Sequence, residues 1–97
     1  MILEIAHFRI LDGAQTGFEH AFSQAQRILA DMPGYLGHEL HRGIEEPTGY
    51  RLLVRWHSVA DHMDGFRRSP RFADWCALLQ PFFAEPPHAA HYEHAAP

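Results

Sequence analysis

Nine histidines and a single cysteine carry most of the chemistry available to this 97-residue chain. His7 stands in the middle of an otherwise apolar run, Met1–Ile10. A neutral imidazole there can take up a proton near physiological pH, because its ordinary pKa is about 6.5. Two readings of His7 stay open: a base beside a bound molecule, or a hydrogen-bonded structural histidine, including one turned toward a partner chain. His62 falls on a short helical segment and can reach the same space, although a helical histidine turned to solvent is the ordinary case. Cys76 shares an apolar helical stripe with Phe72, Trp75 and Leu79, which is the setting of an inert core thiol. No metal site is expected. His38 and His41 are three apart in a strand and point to opposite faces, as do His88 and His91, and His91 and His94, in an extended tail. Only a helical tail would bring His88 and His91 onto one face.

Other chemistry finds no foothold. There is no Gly-rich phosphate loop, nucleophile elbow or paired-cysteine zinc signature. A formal charge of -4 and a pI near 6.1 argue against a surface built for nucleic-acid phosphates. All eight basic residues are arginine, a bias that genome composition explains as well as function does. No apolar run approaches the roughly 20 residues of a membrane span. A lone cysteine precludes an intrachain disulfide, and the amino terminus does not resemble a charged segment followed by an apolar signal core. A cytoplasmic protein is the expectation.

The elements that must position these groups follow from periodicity and punctuation. Met1–Ile10 reads as a first strand closed by Asp12 and Gly13. Thr16 and Glu19 form a capping box for a helix whose stripe is Phe18, Ala21, Phe22, Ala25, Leu29 and Met32. Pro33 and Gly34 end that helix near Asp31. Leu36–Gly43 is a second strand, Glu45–Gly49 a turn, and Tyr50–Trp56 a third strand with Tyr50, Leu52, Val54 and Trp56 on one buried face. Ser58 with Asp61 starts one short helix, and Ser69 with Pro70 starts another. After Pro86 and Pro87, His88–Glu93 can form a last strand. The order is that of a ferredoxin-like α+β sandwich, an antiparallel four-stranded sheet with the second helix split and both helices on one face. The chain is one domain, residues 1–97, with its core in 1–93 and a flexible tail at 94–97. A domain of this size buries only roughly 60 to 70% of its unfolded surface. Seven Phe, three Tyr and two Trp are many for so thin a core, and no sequence remains to cover the second sheet face. A homodimer through that open face is the economical solution.

Several of these features together resemble the antibiotic biosynthesis monooxygenase domain family. They are the Pro33-Gly34-Tyr35 turn, the strand YRLLVRW, the segment SVADHMDGFRRSPRFADW and the Pro-rich approach to the last strand. The resemblance spans nearly the whole chain and implies a dimeric α+β barrel. For some members it implies oxygenation of polycyclic phenols or quinols without any cofactor, the substrate itself delivering electrons to oxygen. Other members degrade haem, using an Asn on the first strand, a Trp on the short helix and a His on the next helix. The corresponding positions here are His7, Phe66 and Cys76, none of which matches, so haem degradation is not expected.

Cofactor-free oxygenation needs an apolar pocket, a base and an oxyanion donor. The resemblance therefore makes His7 and His62 the candidate catalytic residues, with Trp56, Phe66, Phe22 and Trp75, and also Phe82, as candidate walls for a small aromatic molecule. Plain core is the ordinary alternative for most of these aromatics, and Trp56 and Phe66, beside helix starts, are the better wall candidates. Arg55, opposite in direction to Trp56, belongs to the dimer interface or to a salt bridge. A non-catalytic dimer that binds or senses a small apolar ligand is the competing function.

Overall fold

The computed structural model describes residues 1–97. Its elements are β1 (Ile2–Arg9), α1 (Gln15–Ala30), β2 (Tyr35–Arg42), β3 (Gly49–Trp56), a π-helical turn (Asp61–Phe66), α2 (Pro70–Leu79), a 3-10 turn (Gln80–Phe82) and β4 (His88–Tyr92). The four strands form one antiparallel sheet in the order β2-β3-β1-β4, which is the ferredoxin-like arrangement, and the sheet is not closed. Both helices lie on one face.

β1 and β3 run down the middle of the sheet and present alternate residues to the helices. Ala6 and Phe8 of β1, with Ile10 just beyond it, and Tyr50, Leu52, Val54 and Trp56 of β3 are all buried on that side. Helix α1 covers them with Phe18, Ala21, Phe22, Ala25, Ile28 and Leu29, recurring at three- and four-residue steps. Complete burial of side chains such as Phe18 and Leu29 contributes about 1.5–3 kcal/mol each.

Helix starts depart from the sequence expectation in one place. Ala14, not Thr16, takes the capping position of α1, and no side chain caps it. Glu19 instead accepts hydrogen bonds from the Tyr50 hydroxyl at 2.6 Å and from Arg42 at 3.1 Å. The reason is tertiary: Gly13, at φ 77°, turns the chain so that Ala14 enters the helix directly, and the loop is tied to the far end of the domain by the Leu11 N–H on the Phe82 carbonyl. The other starts follow local chemistry. Ser58 Oγ accepts the Asp61 N–H at 3.2 Å and donates to its carboxylate at 3.0 Å. Ser69 sits extended before Pro70, which fills the first helical position.

Between these two starts the backbone widens. The Arg67 N–H donates to the His62 carbonyl, five residues back, at 2.9 Å. This π-helical turn is of the kind often found at functional sites, and it leaves both His62 and Phe66 buried. The turn is pressed against the end of α1: Gly34 has φ 85°, and a Cβ there would collide with Asp61.

Candidate functional site

Between the sheet and the second helical pair lies a cavity of about 600 Å³, within the range that holds a drug-sized ligand. Its floor is Glu4, Ala6 and Phe8 of β1 with Leu52 and Val54 of β3. Its roof is His62, Phe66 and Arg67 from the π-helical turn and Phe72, Trp75, Cys76 and Leu79 from α2. Gln80 and the segment from Phe83 to Ala89 make one rim. Most of this lining is apolar, so the few polar groups stand out.

Glu4 is the principal one. It sits at an inward position of β1, directly opposite Val54 on one side and His91 on the other, and is 6% exposed. The Trp56 indole N–H donates to Glu4 Oε1 at 2.9 Å. His62 Nε2 lies 3.4 Å from the same oxygen, and His62 Nδ1 shares a 2.8 Å hydrogen bond with His91 Nε2. Trp56, Glu4, His62 and His91 thus form one continuous polar chain inside an apolar wall. Burial pushes the Glu4 carboxyl above the usual range, although the Trp56 hydrogen bond and nearby Arg67 oppose this. His62 is driven down to about 4, by burial first and then by His91 and Arg67. At neutral pH His62 is therefore an uncharged imidazole, and its contact with Glu4 is not an ion pair. Burial also raises the Cys76 thiol, with Arg67 opposing, so Cys76 meets the cavity as a thiol and not as the nucleophilic thiolate.

The expected site residues divide into groups. His62, Phe66 and Trp75 line the cavity, with Phe66 and Trp75 edge to face at 5.6 Å. Trp56 is wholly buried behind Glu4, stacked on His62 and Phe66, and reaches the cavity only through its hydrogen bond. Phe22 stands behind Trp75, edge-on at 5.9 Å, and is core. Phe82 packs over Gly17 and against Phe18, also off the cavity, and its neighbour Phe83 takes the place at the wall.

His7 lies on the opposite face of the sheet. It stacks on His88 with ring centroids 4.7 Å apart and is paired in register with Arg51. A side chain there cannot reach the cavity, because the sheet lies between them. Arg55 is on that face too, bonded to Glu39 at 3.2 Å. His38 and His41 separate as their spacing requires, His38 to Tyr35 and Gln26 and His41 to Glu39. His88 and His91 likewise part to opposite faces.

Sequence reasoning missed Glu4 and His91. A signal for Glu4 was present: it shares its alternation with Ala6, Phe8 and Ile10, and a carboxylate among apolar strand positions is costly unless paired. His91 carried no such signal, because its significance depends on β4 landing beside β1. Glu4, His62 and His91 point at one another and not at a common centre, and no group of side chains is arranged to hold a metal ion.

The same arrangement of strands and helices recurs among known proteins. The family model for antibiotic biosynthesis monooxygenase matches residues 1–78. The chain belongs to that family. Within it, the chain is 40% identical over 93 residues to the uncharacterized protein YczJ of Bacillus subtilis, covering 96% of this chain and 98% of that one. A crystal structure of a Bordetella bronchiseptica protein of the antibiotic biosynthesis monooxygenase group superposes with a TM-score of 0.95 at 38% identity, covering 98% of this chain and 97% of that one. SnoaB of Streptomyces nogalater, a cofactor-independent oxygenase, shares the fold at a TM-score of 0.84 and 18% identity, covering 99% of this chain and 94% of its own. The monooxygenase-like fold extends over the whole chain, and no helix in it is long and apolar enough to cross a membrane.

Proposed function

We propose that the protein is a cofactor-independent monooxygenase acting on an aromatic phenol or quinol. The observation that carries this reading is the apolar chamber of about 600 Å³ with a buried carboxylate and imidazole at one end. A fused aromatic ring fits the space between the Ala6, Leu52 and Val54 floor and the Phe66 and Trp75 roof. Removal of a hydroxyl proton makes the ring electron-rich enough to reduce oxygen directly. One oxygen atom then enters the ring carbon as a carbonyl and the other leaves as water, whose two hydrogens are the one lost from that ring carbon and the one lost from the hydroxyl group. The polar chain of Glu4 and His62 at one end of the chamber supports this reading, because it offers a group that can take the hydroxyl proton.

The test is oxygen uptake with a panel of anthrone- and quinol-type compounds. Uptake by the native protein, reduced at least about 100-fold in His62→Ala and unchanged in His7→Ala, is the expected result. No uptake with any member of the panel would remove the oxygenase reading, and a ligand-dependent rise in melting temperature without uptake would favour the binding or sensing role instead.

The same reading includes a second copy of the chain on the open sheet face, where Ile5 and Leu53 are only half-buried between strands and Tyr92 is exposed. Light scattering at about twice the 11.1 kDa chain mass is expected, and a stable monomer would contradict it. A cytoplasmic setting, which the free thiol of Cys76 suits, completes the proposal.

A further inference from the structure

The sheet carries a group better placed than either histidine to take a proton from a bound ring. His62 has no nitrogen to spare, since Nδ1 is hydrogen-bonded to His91 and Nε2 is turned to Glu4. Glu4 is different. Its Oε1 takes the Trp56 indole N–H and the His62 contact, whereas Oε2 has no partner in the protein. No buried side-chain oxygen or nitrogen is left unpaired, so Oε2 is not sealed in the core, and Glu4 lines the cavity. The geometry points to Glu4 as the base of this site: its Oε2 accepts the hydroxyl proton of an aromatic ring held under Phe66 and Trp75. This inference rests on the ring-binding chamber proposed above.

The supporting parts are built for that task. A carboxylate taken out of water is a stronger base than one on the surface, and burial raises the proton affinity of Glu4. Trp56 and His62 hold one oxygen, and that fixes where the other points. With Glu4 ionised, His62 must present Nε2 as N–H, which leaves Nδ1 to accept from His91 Nε2–H. His91 is therefore a positioning residue that sets the His62 tautomer, and His62 positions Glu4. In the reaction the ring O–H bond breaks, its electron pair stays on the ring oxygen, and the proton forms an O–H bond with Oε2. Total charge in the site is unchanged, which suits an apolar chamber.

A ligand pair kept under anaerobic conditions tests the assignment apart from turnover: 1-naphthol and 1-methylnaphthalene, which differ by a hydroxyl against a methyl group. Their dissociation constants are measured by calorimetry on the native protein and on Glu4→Gln. The substitution keeps the shape and an acceptor for Trp56 but not the base. The ratio favouring the hydroxyl compound should fall at least about 10-fold in Glu4→Gln, because the amide oxygen stays on the Trp56 N–H and the free arm becomes an NH2 group that cannot accept the hydroxyl proton, while 1-methylnaphthalene binds both equally. Equal ratios in the two proteins would overturn the inference.

Should Glu4→Gln fail to fold, the native protein alone decides the matter. The hydroxyl preference should disappear from neutral to mildly acidic pH as Glu4 is protonated, with His62, His91 and Arg67 the other titratable or charged groups at that end of the chamber. A pH-independent preference would refute the assignment. A native hydroxyl preference without oxygen uptake would retire the oxygenase reading and leave the role of Glu4 standing. Oxygen uptake undiminished in Glu4→Gln would do the reverse.

Discussion

The two faces of the sheet each carry a pair of histidines with one member from β4, and the pairs behave differently. On the open face His7 of β1 stacks on His88 of β4 at 4.7 Å, half-exposed and beside Arg51. On the helical face His62 meets His91 of β4 through a 2.8 Å hydrogen bond, 4% exposed, next to Glu4 of β1. Residue type is the same and β4 supplies one member of each pair, while the other comes from β1 on the open face and from the π-helical turn on the helical face. What differs is a carboxylate partner, an indole donor and a lid of aromatic rings. The open-face pair has no hydrogen-bonded carboxylate, indole donor or aromatic lid, and shares a shallow surface pocket with Arg51, Glu46 and Glu85. The setting of each imidazole is therefore decided by the face of the sheet it meets, and within β4 by the pleat that turns His88 and His91 to opposite sides.

The contrast is broken most forcefully at positions of β3 that face opposite ways. Trp56→Ala removes a wholly buried indole, its stacking on His62 and Phe66, and the donor to Glu4. It should cost about 3–5 kcal/mol by denaturant titration. Leu53→Ala, facing the other way and half-buried, should cost about 1 kcal/mol in the isolated chain. Similar losses at both positions would show that the two faces are equally part of the core.

Acid titration sharpens the same contrast. His62 has a folded pKa depressed to about 4 against an ordinary 6.5, so in that interval the unfolded chain binds the proton and the native state does not. Stability then rises with pH, and its contribution is complete above about 6.5 and lost as pH falls toward 4, on the order of 3 kcal/mol. Glu4 acts with the opposite sign. Its folded pKa is raised above 4.5, so it removes stability as pH climbs through that value, and the two effects partly cancel in the native protein. Glu4→Gln deletes the second effect alone. Urea midpoints at a series of pH values should therefore fall more steeply on acidification in Glu4→Gln than in the native chain. His62→Ala should flatten the curve more than His7→Ala does, since the His7 imidazole is also held below its ordinary pKa, by slight burial first and then by Arg51 and His88.

Much of the fold was legible because its signals are local. The alternation of Tyr50, Leu52, Val54 and Trp56, the stripe of α1, the Pro33-Gly34 stop and the paired starts at Ser58 and Ser69 depend on neighbours a few residues away, and the elements stand where these place them. The α1 cap was misread because Glu19 is drawn to Tyr50 and Arg42, partners in the sheet that local chemistry does not announce. The site was legible only in part. Phe66, Trp75 and His62 line the chamber, whereas His7 does not, because β1 is apolar on both faces and a period of two cannot say which face turns inward.

Sequence alone thus determined the order of elements, their ends and the supply of aromatic side chains, since these follow from spacing, capping and chain stiffness. The tertiary structure decided which histidine works beside a carboxylate. Strand register set Glu4 opposite His91, and the π-helical turn carried His62 over both, contacts between residues 29 and 58 positions apart that no local pattern encodes.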